Sequence, residues 1–479
     1  MTEVLAGLSS RAIASGLGVL LLVACSTGGS TQQSASSTDV TQWVAWGGQE
    51  LTAYRDVLKP FESKTGIKVH VTTNRESTTA IANGIEAGTE LPDIAPGPTD
   101  PVQLKSWVGK GALKPLESFL DMKAYTDNTY PALTTPPGGA SDDPYIGIIG
   151  GKHYLEMIKT QVKGLFWYNK KVFTGQAPKT FDDLLAINPS QYGAQKLFCA
   201  GFESGGDSGW PASDQLHNII MRQSGDQVYT DWINGKKKWT SPEIKLGYQT
   251  FLKEVSAANV YGGPNTALST NFGKAGDPLF KSPAGCLFLE QATFIANFFT
   301  QNTPGLKAGT DFDFFGHPSV NSQYDGNVNG FYDNVAMYNS TPAAKQLMQY
   351  LATKDAQQIW ANDGGTLGAI KTLNYNDPIY KRAAEVAGSA KNLLVTAGDF
   401  MPSDMRKAYW QSLLNVTRTP SSLDSQLAHL DQVQTAEVVI DGQKQSRVPH
   451  VDPGCQNQML PGDRSVANCH REGLNRQAL

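Results

Sequence analysis

The apolar positions change period along the chain, and the changes mark out its elements. Residues 40–46 form a short apolar-rich run ending in Gly47-Gly48, which predicts a strand entering a turn. Leu51, Tyr54, Val57, Leu58 and Phe61 then recur at helical spacing, with Gly66 as the stop. Ile67, Val69 and Val71 alternate with polar residues, a second strand. Residues 78–87 can form another helix, and Pro92-Asp93-Ile94-Ala95 is a short buried strand before Pro96, Gly97 and Pro98. A strand–helix–strand–helix–strand opening predicts a parallel sheet with right-handed crossovers. Ligands of such sheets lie at the carboxyl ends of the strands, here Trp46-Gly47-Gly48, residues 73–76 and residues 97–100.

The middle of the chain is richer in loops, with several prolines and two adjacent glycines in residues 131–145. Residues 163–169 read as a strand ending in Phe166-Trp167-Tyr168-Asn169. Pro178-Lys179-Thr180-Phe181-Asp182-Asp183 opens a helix, Thr180 as its N-cap and Asp183 as the capping-box acid. Leu347, Met348 and Leu351 mark a late amphipathic helix, and Gly364-Gly365-Thr366-Leu367-Gly368 a turn after it.

The first forty residues follow a different pattern. Residues 12–24 are an apolar run broken only by Ser15 and two glycines. That is too short for a membrane span, which needs about 20 residues, but fits the apolar core of a secretory signal. The run ends in Leu22-Val23-Ala24-Cys25, which resembles a bacterial lipobox with Cys25 as the lipidated residue. We therefore expect a signal peptide over 1–24 and a flexible Ser/Thr/Gln/Gly-rich tether over 25–39. No later segment offers about 18 consecutive apolar residues, so a soluble body anchored to the membrane only by lipid is expected. This places the protein on the outer face of the bacterial cytoplasmic membrane.

Composition narrows the classes that remain. With 40 Lys and Arg against 44 Asp and Glu, the net charge of −4 argues against non-specific nucleic-acid binding. The 479 residues, 40% of them hydrophobic, bury a core without needing metal or disulfides to fold. Beyond Cys25, Cys199, Cys286, Cys455 and Cys469 are an even set in an oxidising compartment. Four cysteines allow three pairings; Cys199–Cys286 with Cys455–Cys469 is preferred. For the tail, zinc bound by His450, Cys455, Cys469 and His470 is the rival, although the spacing fits no familiar zinc module.

Catalytic signals are weak. Gly206-Asp207-Ser208-Gly209 matches the short motif around some protease serines, but His70 and His153, the histidines upstream of it, lack a recognisable setting. A Gly-rich surface or cleft loop is the simpler reading. Gly150-Gly151-Lys152 is followed by His153, so it is no phosphate loop, and no His-Glu-x-x-His occurs. Glycosidases need two carboxylates across the scissile bond; with 44 acids in the chain the sequence points to no particular pair.

Several stretches together resemble a family. They are residues 61–69 (FESKTGIKV), 91–95 (LPDIA), 164–173 (GLFWYNKKVF), 178–181 (PKTF), 209–214 (GWPASD) and 347–370, which contains QQIWANDGGTLGAI. In order and spacing they are similar to family 1 extracellular solute-binding proteins of carbohydrate ABC importers, the group of maltose-binding and alpha-glucoside-binding proteins. The resemblance covers most of residues 40–437; the tail beyond has no counterpart.

The resemblance implies a two-lobed α/β periplasmic-binding-protein fold (type II-like), with sugar held in a cleft between lobes joined by hinge strands. It places an N-terminal lobe at 40–162 plus 331–385, a C-terminal lobe at 163–330 plus 386–437 and an extension at 438–479. It implies a monomeric receptor, not an enzyme, without cofactor or metal, whose partners are a carbohydrate and the permease subunits of an ABC transporter. Sugars need aromatic faces for their C–H surfaces and paired polar groups for their hydroxyls. On strand ends and matched loops the candidates are Trp46, Gly48, Thr99, Asp100, Lys163, Trp210, Asp214, Glu290, Gln291, Tyr332, Asp333, Gly364 and Gly365. Arg75 and Glu76 are weaker ones. The same fold binding a glycerophosphodiester, an amino sugar or a peptide is an alternative, with Lys163 and Arg75, where both face the cleft, favouring an anionic ligand; a secreted carbohydrate-active enzyme is a separate alternative.

Overall fold

The computed structural model describes residues 38–74, 76–135, 142–363 and 366–442. Its opening follows the hydrophobic pattern. Strand Asp39–Val44 pairs in parallel with Lys68–Thr73, from Asp39 opposite Lys68 to Val44 opposite Thr73, and Gln42 pairs in parallel with Ile94. Between them, helix Gly48–Thr65 buries Tyr54, Val57, Leu58 and Phe61 against Val40, Val44 and Trp360. It ends where Gly66, at φ 72°, returns its N–H to the Glu62 carbonyl.

The full sheet is mixed, unlike the purely parallel start. Its order is Leu367–Gly368, Glu156–Val162, Asn327–Met337, Ile94–Ala95, Asp39–Val44 and Lys68–Thr73, with Asn392–Val395 beside the first part of Asn327–Met337. Asn327–Met337 runs antiparallel to both Glu156–Val162 and Ile94–Ala95. The reversal arises because this strand enters from the second sheet, not through a helical crossover on the first. That second sheet has the order Phe312–Gly316, Leu165–Asn169, Ala284–Gln291 and Ala194–Cys199. Every residue of Ala284–Gln291 is buried, as an inner strand covered on both faces should be. Helices Trp210–Ile233, Pro242–Glu254 and Ser403–Arg418 pack around a separate core containing Ile219, Ile220, Trp232, Tyr248, Phe251 and Tyr409.

The two sheets meet along extended chain. Glu156–Val162 of the first sheet passes through Lys163 and Gly164 directly into Leu165–Asn169 of the second. Gly164 has φ 71°, and a Cβ there would lie 2.2 Å from Asn218 Oδ1, so the corner needs glycine twice over. Residues 327–330 pair in parallel with Asn392–Val395, and Gly330–Val335 with Glu156–Val162. The return to the C-terminal lobe expected at residue 386 falls within helix Pro378–Ser389, and the extended segment Asn392–Val395 follows it.

Several local expectations appear as drawn. Thr180 and Asp183 form a complete capping box. The late helix is Pro342–Leu351, with Leu347, Met348 and Leu351 buried. Cys199 and Cys286 form a disulfide between adjacent parallel strands. The 209–214 stretch, by contrast, is mostly helix: Trp210 and Asp214 lie on the first turns of Trp210–Ile233. Gly209, at φ 103°, turns the chain, and Pro211 is preorganised for the first turn. Cys25, Arg75, Gly364, Gly365, His450, Cys455, Cys469 and His470 lie outside the described residues. Among the described residues no helix is long and apolar enough to cross a membrane.

Candidate functional site

A cavity of about 320 Å³ opens where the two sheets meet. That lies within the range of about 300–1,000 Å³ usual for small-molecule sites. From the first sheet come Ala45 and Trp46, just past strand Asp39–Val44, Glu50 on the following helix, and Asp333 and Phe331 on strand Asn327–Met337. Lys159, Gln161 and Lys163 enter from the connecting strand and its end. Facing them are Ser204, Asp207, Trp210, Phe272, Phe294 and Phe298, with Asp399 and Trp410 completing the wall.

Lys159 and Lys163 organise the charges. Lys159 Nζ lies 2.8 Å from Glu50 Oε1 and 3.2 Å from Asp333 Oδ2, and sits 4.5 Å from the Trp46 ring centroid. Lys163 Nζ lies 2.8 Å from Asp214 Oδ1 and 3.4 Å from Asp399 Oδ2, between the rings of Trp210 at 5.7 Å and Phe331 at 5.2 Å. Each ammonium is thus set between two carboxylates and near two aromatic faces. Burial works against both charges, but the paired carboxylates outweigh it and hold both lysines above their ordinary range. Burial also pushes Asp214 up to about 7, Lys163 opposing it and Asp399 adding to it. Asp333 is raised by burial too, against the pull of Lys159.

Trp46 serves two purposes. Its ring packs edge-on to Tyr54 and Trp360, at 5.2 and 5.0 Å, while Nε1 donates to Asp333 Oδ1 at 3.3 Å. The indole is therefore locked by the core and still forms cavity wall. Trp210 is half-buried and lies edge-on to Phe272 at 5.1 Å.

Of the residues singled out in the sequence, Trp46, Lys163, Trp210 and Asp333 line one cavity. Asp214 lies behind it, bonded to Lys163. The others among the described residues lie off the cavity lining. Gly48 starts the first helix at φ 55°. Thr99 donates its hydroxyl to the Asp399 carbonyl at 2.7 Å, supporting a wall residue from behind. Asp100 caps helix Pro101–Gly109, accepting from Val102 N at 2.8 Å and Gln103 N at 3.2 Å. Tyr332 donates to the Tyr145 carbonyl and is buried; strand alternation sends it away from the cavity that Phe331 and Asp333 face. Gln291 accepts from Ala292 N and its carbonyl from Trp167 Nε1. Glu290 is turned inward, toward Glu254 and His317.

Glu50, Lys159, Gln161, Asp399 and the phenylalanines were not anticipated. One signal was available: Lys159, Gln161 and Lys163 alternate with apolar or small neighbours, a polar stripe on one strand face. Asp399 gave none, since it meets Lys163 across 236 residues. The Gly206-Asp207-Ser208-Gly209 motif resolves into a cleft loop. Ser208 Oγ donates to the Gly205 carbonyl at 2.7 Å and accepts from Ser204 N, closing its own turn, while Asp207 faces the cavity.

Comparison with known families decides the larger question. The family model described as bacterial extracellular solute-binding protein matches residues 56–388. The chain belongs to this family. Among its relatives is the alpha-glucosides-binding periplasmic protein AglE of Rhizobium meliloti, 28% identical over 391 residues, covering 79% of this chain and 83% of the relative. The osmoprotective compounds-binding protein GgtB of Synechocystis is 26% identical, covering 77% of this chain and 86% of that protein. The solved structure of the bacterial solute receptor AcbH superposes with a TM-score of 0.69 at 18% identity, over 84% of this chain and 99% of AcbH. A cyclo/maltodextrin-binding protein complexed with maltotetraose gives 0.59 at 18% identity, over 85% and 98% of the two chains. These structures share the two-lobed fold, and the named relatives are binding proteins, not enzymes.

Proposed function

We propose that this solute-binding protein captures a carbohydrate, a di- or oligosaccharide with alpha-glucosidic links being favoured, in the cavity between its sheets and delivers it to an ABC permease. The observation that carries the reading is the cavity wall itself. Trp46, Trp210, Phe294 and Phe331 offer flat apolar faces, and Glu50, Asp207, Asp333 and Asp399 offer acceptors for hydroxyls. Both halves of the wall come from different lobes, so closure would bring them onto one ligand. We divide the lobes at Lys163-Gly164, at the start of Asn327–Met337, and at Asn392–Val395. Lipidation at Cys25 would keep the receptor beside the permease.

The charge balance favours a neutral or cationic ligand over an anionic one. Lys159 and Lys163 are each already held by two carboxylates, while Asp207, within electrostatic reach of Arg406 and Lys407, adds a further acid to the wall. This supports an amino sugar as the second reading and weighs against a glycerophosphodiester. The similarity to AglE, named for alpha-glucosides, supports the first.

The test is thermal unfolding against alpha- and beta-linked disaccharides, maltodextrins, trehalose, amino sugars, glycerophosphodiesters and short peptides. A ligand at about 100 times its Kd stabilises the fold by roughly 2.7 kcal/mol. A shift with an alpha-glucoside recovered intact is the expected result. A shift with a phosphodiester or peptide alone would overturn the carbohydrate reading.

A further inference from the structure

Behind the cavity, inside the second lobe, three side chains converge from three elements. Glu254 ends helix Pro242–Glu254, Glu290 lies near the end of strand Ala284–Gln291, and His317 follows strand Phe312–Gly316. Their relative exposures are 3%, 6% and 8%. One oxygen or ring nitrogen from each lies within 4.8 Å of the other two. These are core positions: strand Leu165–Asn169 pairs Phe166 with Glu290, and the Phe166 and Phe181 rings flank His317 at 5.3 and 5.6 Å.

The hydrogen bonds around the group leave only acceptors facing its centre. His317 Nδ1 lies 2.8 Å from the Pro318 carbonyl. A carbonyl can only accept, so Nδ1 carries the proton and, in the neutral ring, Nε2 presents a lone pair. Burial, with Arg222 adding to it, keeps that ring neutral. Among the described residues, Nε2, both oxygens of Glu290 and one oxygen of Glu254 have no hydrogen-bond partner. The buried cation Arg222 lies within electrostatic reach of Glu290, but its side chain donates to Asn218 Oδ1 at 2.7 Å. Burial raises both Glu254, to about 8, and Glu290, with Arg222 opposing the latter, so the two carboxylates and the imidazole lone pair stay together in this apolar core only by taking up protons or by holding a cation between them.

We propose that Glu254, Glu290 and His317 bind a divalent transition cation of the zinc–manganese class. The donor set is oxygen, oxygen and imidazole nitrogen, which suits those ions. The Nδ1–H bond to Pro318 is the outer contact that orients a metal-ligating histidine. Such an ion joins a helix end, a central strand and the residue whose backbone N–H bonds the Gly164 carbonyl at the sheet-to-sheet corner. Its role is structural, and it does not depend on which solute fills the cavity.

The experiment uses the whole protein, stripped with a chelator and then titrated with zinc chloride or manganese chloride, followed by calorimetry and by thermal unfolding. The expected result is one equivalent bound per chain and a higher melting temperature, with affinity lowered at least tenfold in Glu290→Gln and abolished in the double variant Glu254→Gln/Glu290→Gln. A wild-type protein that takes up neither metal, with an unchanged melting curve, overturns the proposal and leaves a proton shared by the two carboxyls in its place. One equivalent retained by a folded double variant also overturns it. The wild-type titration stands alone where a variant does not fold.

Discussion

Lys163 Nζ lies 2.8 Å from Asp214 Oδ1, and both side chains are more than nine-tenths buried. The pair is closed off from the cavity on the Asp214 side and open to it through Lys163 and Asp399. Asp214 is pushed up to about 7 from an ordinary 3.8. An acid whose folded pKa exceeds its unfolded value binds its proton more tightly when folded. Its contribution to stability is therefore greatest below about pH 4 and falls as pH rises to about 7. Melting temperatures of the wild type and Asp214→Asn, measured from pH 4 to pH 8, should show the wild type losing ground relative to the variant across that window. A difference that stays flat above about pH 5 would instead mean that Lys163 holds Asp214 ionised throughout.

Trp210 and Asp333 contribute a ring and a carboxylate to the cavity wall. Replacing either by Ala is expected to weaken binding of the preferred sugar at least tenfold, about 1.4 kcal/mol. Asp100→Ala is the contrast. It removes a helix cap worth about 1 kcal/mol and leaves the dissociation constant unchanged. Calorimetric titration of all three separates cavity wall from scaffold.

Gly164→Ala adds a Cβ that meets Asn218 Oδ1 at 2.2 Å in a backbone held at φ 71°. Strain at a positive φ costs upward of about 1 kcal/mol before the clash is counted. The variant should melt several degrees lower. Because the corner joins the two sheets, it should also change the sugar affinity, which a remote glycine substitution would not.

The Cys199–Cys286 disulfide closes a loop with a sequence separation of 87. Chain-entropy arithmetic for a loop of that size gives on the order of 4–5 kcal/mol. Reduction, or a Cys199→Ala/Cys286→Ala variant, should lower the melting temperature while the sugar affinity of the folded protein is kept, since neither cysteine lines the cavity.

The first three strands and their helices were legible because each buries one side, and burial writes a period of two or 3.6 into the sequence. Val40 and Val44 face the core, and Tyr54, Val57 and Phe61 answer them from the helix. Thr180 and Asp183 were legible because capping is local. Trp46 could be placed at a strand end and Asp333 where the chain recrosses, but their contact at 3.3 Å joins positions 287 residues apart. No local pattern encodes such a contact. Tyr332 shows the sharper limit: one step along a strand exchanges cavity for core, and the sequence does not say which of two neighbours faces which. Glu290 lies off the cavity lining for the same reason of direction, since strand position does not reveal which carboxylate turns inward.

Strand Asn327–Met337 breaks register with Glu156–Val162 between Asp333 and Asn334. A bulge weakens the ladder locally and lets the strand bend there. Asp333 is thus both a wall residue and the last paired position before that interruption, tethered to Lys159 on the neighbouring strand. A pull exerted on its carboxylate reaches the backbone next to that interruption. Under the proposed function, the carboxylate that would hold cargo and the point where the strand ladder is interrupted are one residue, so occupancy and bending would share a single lever.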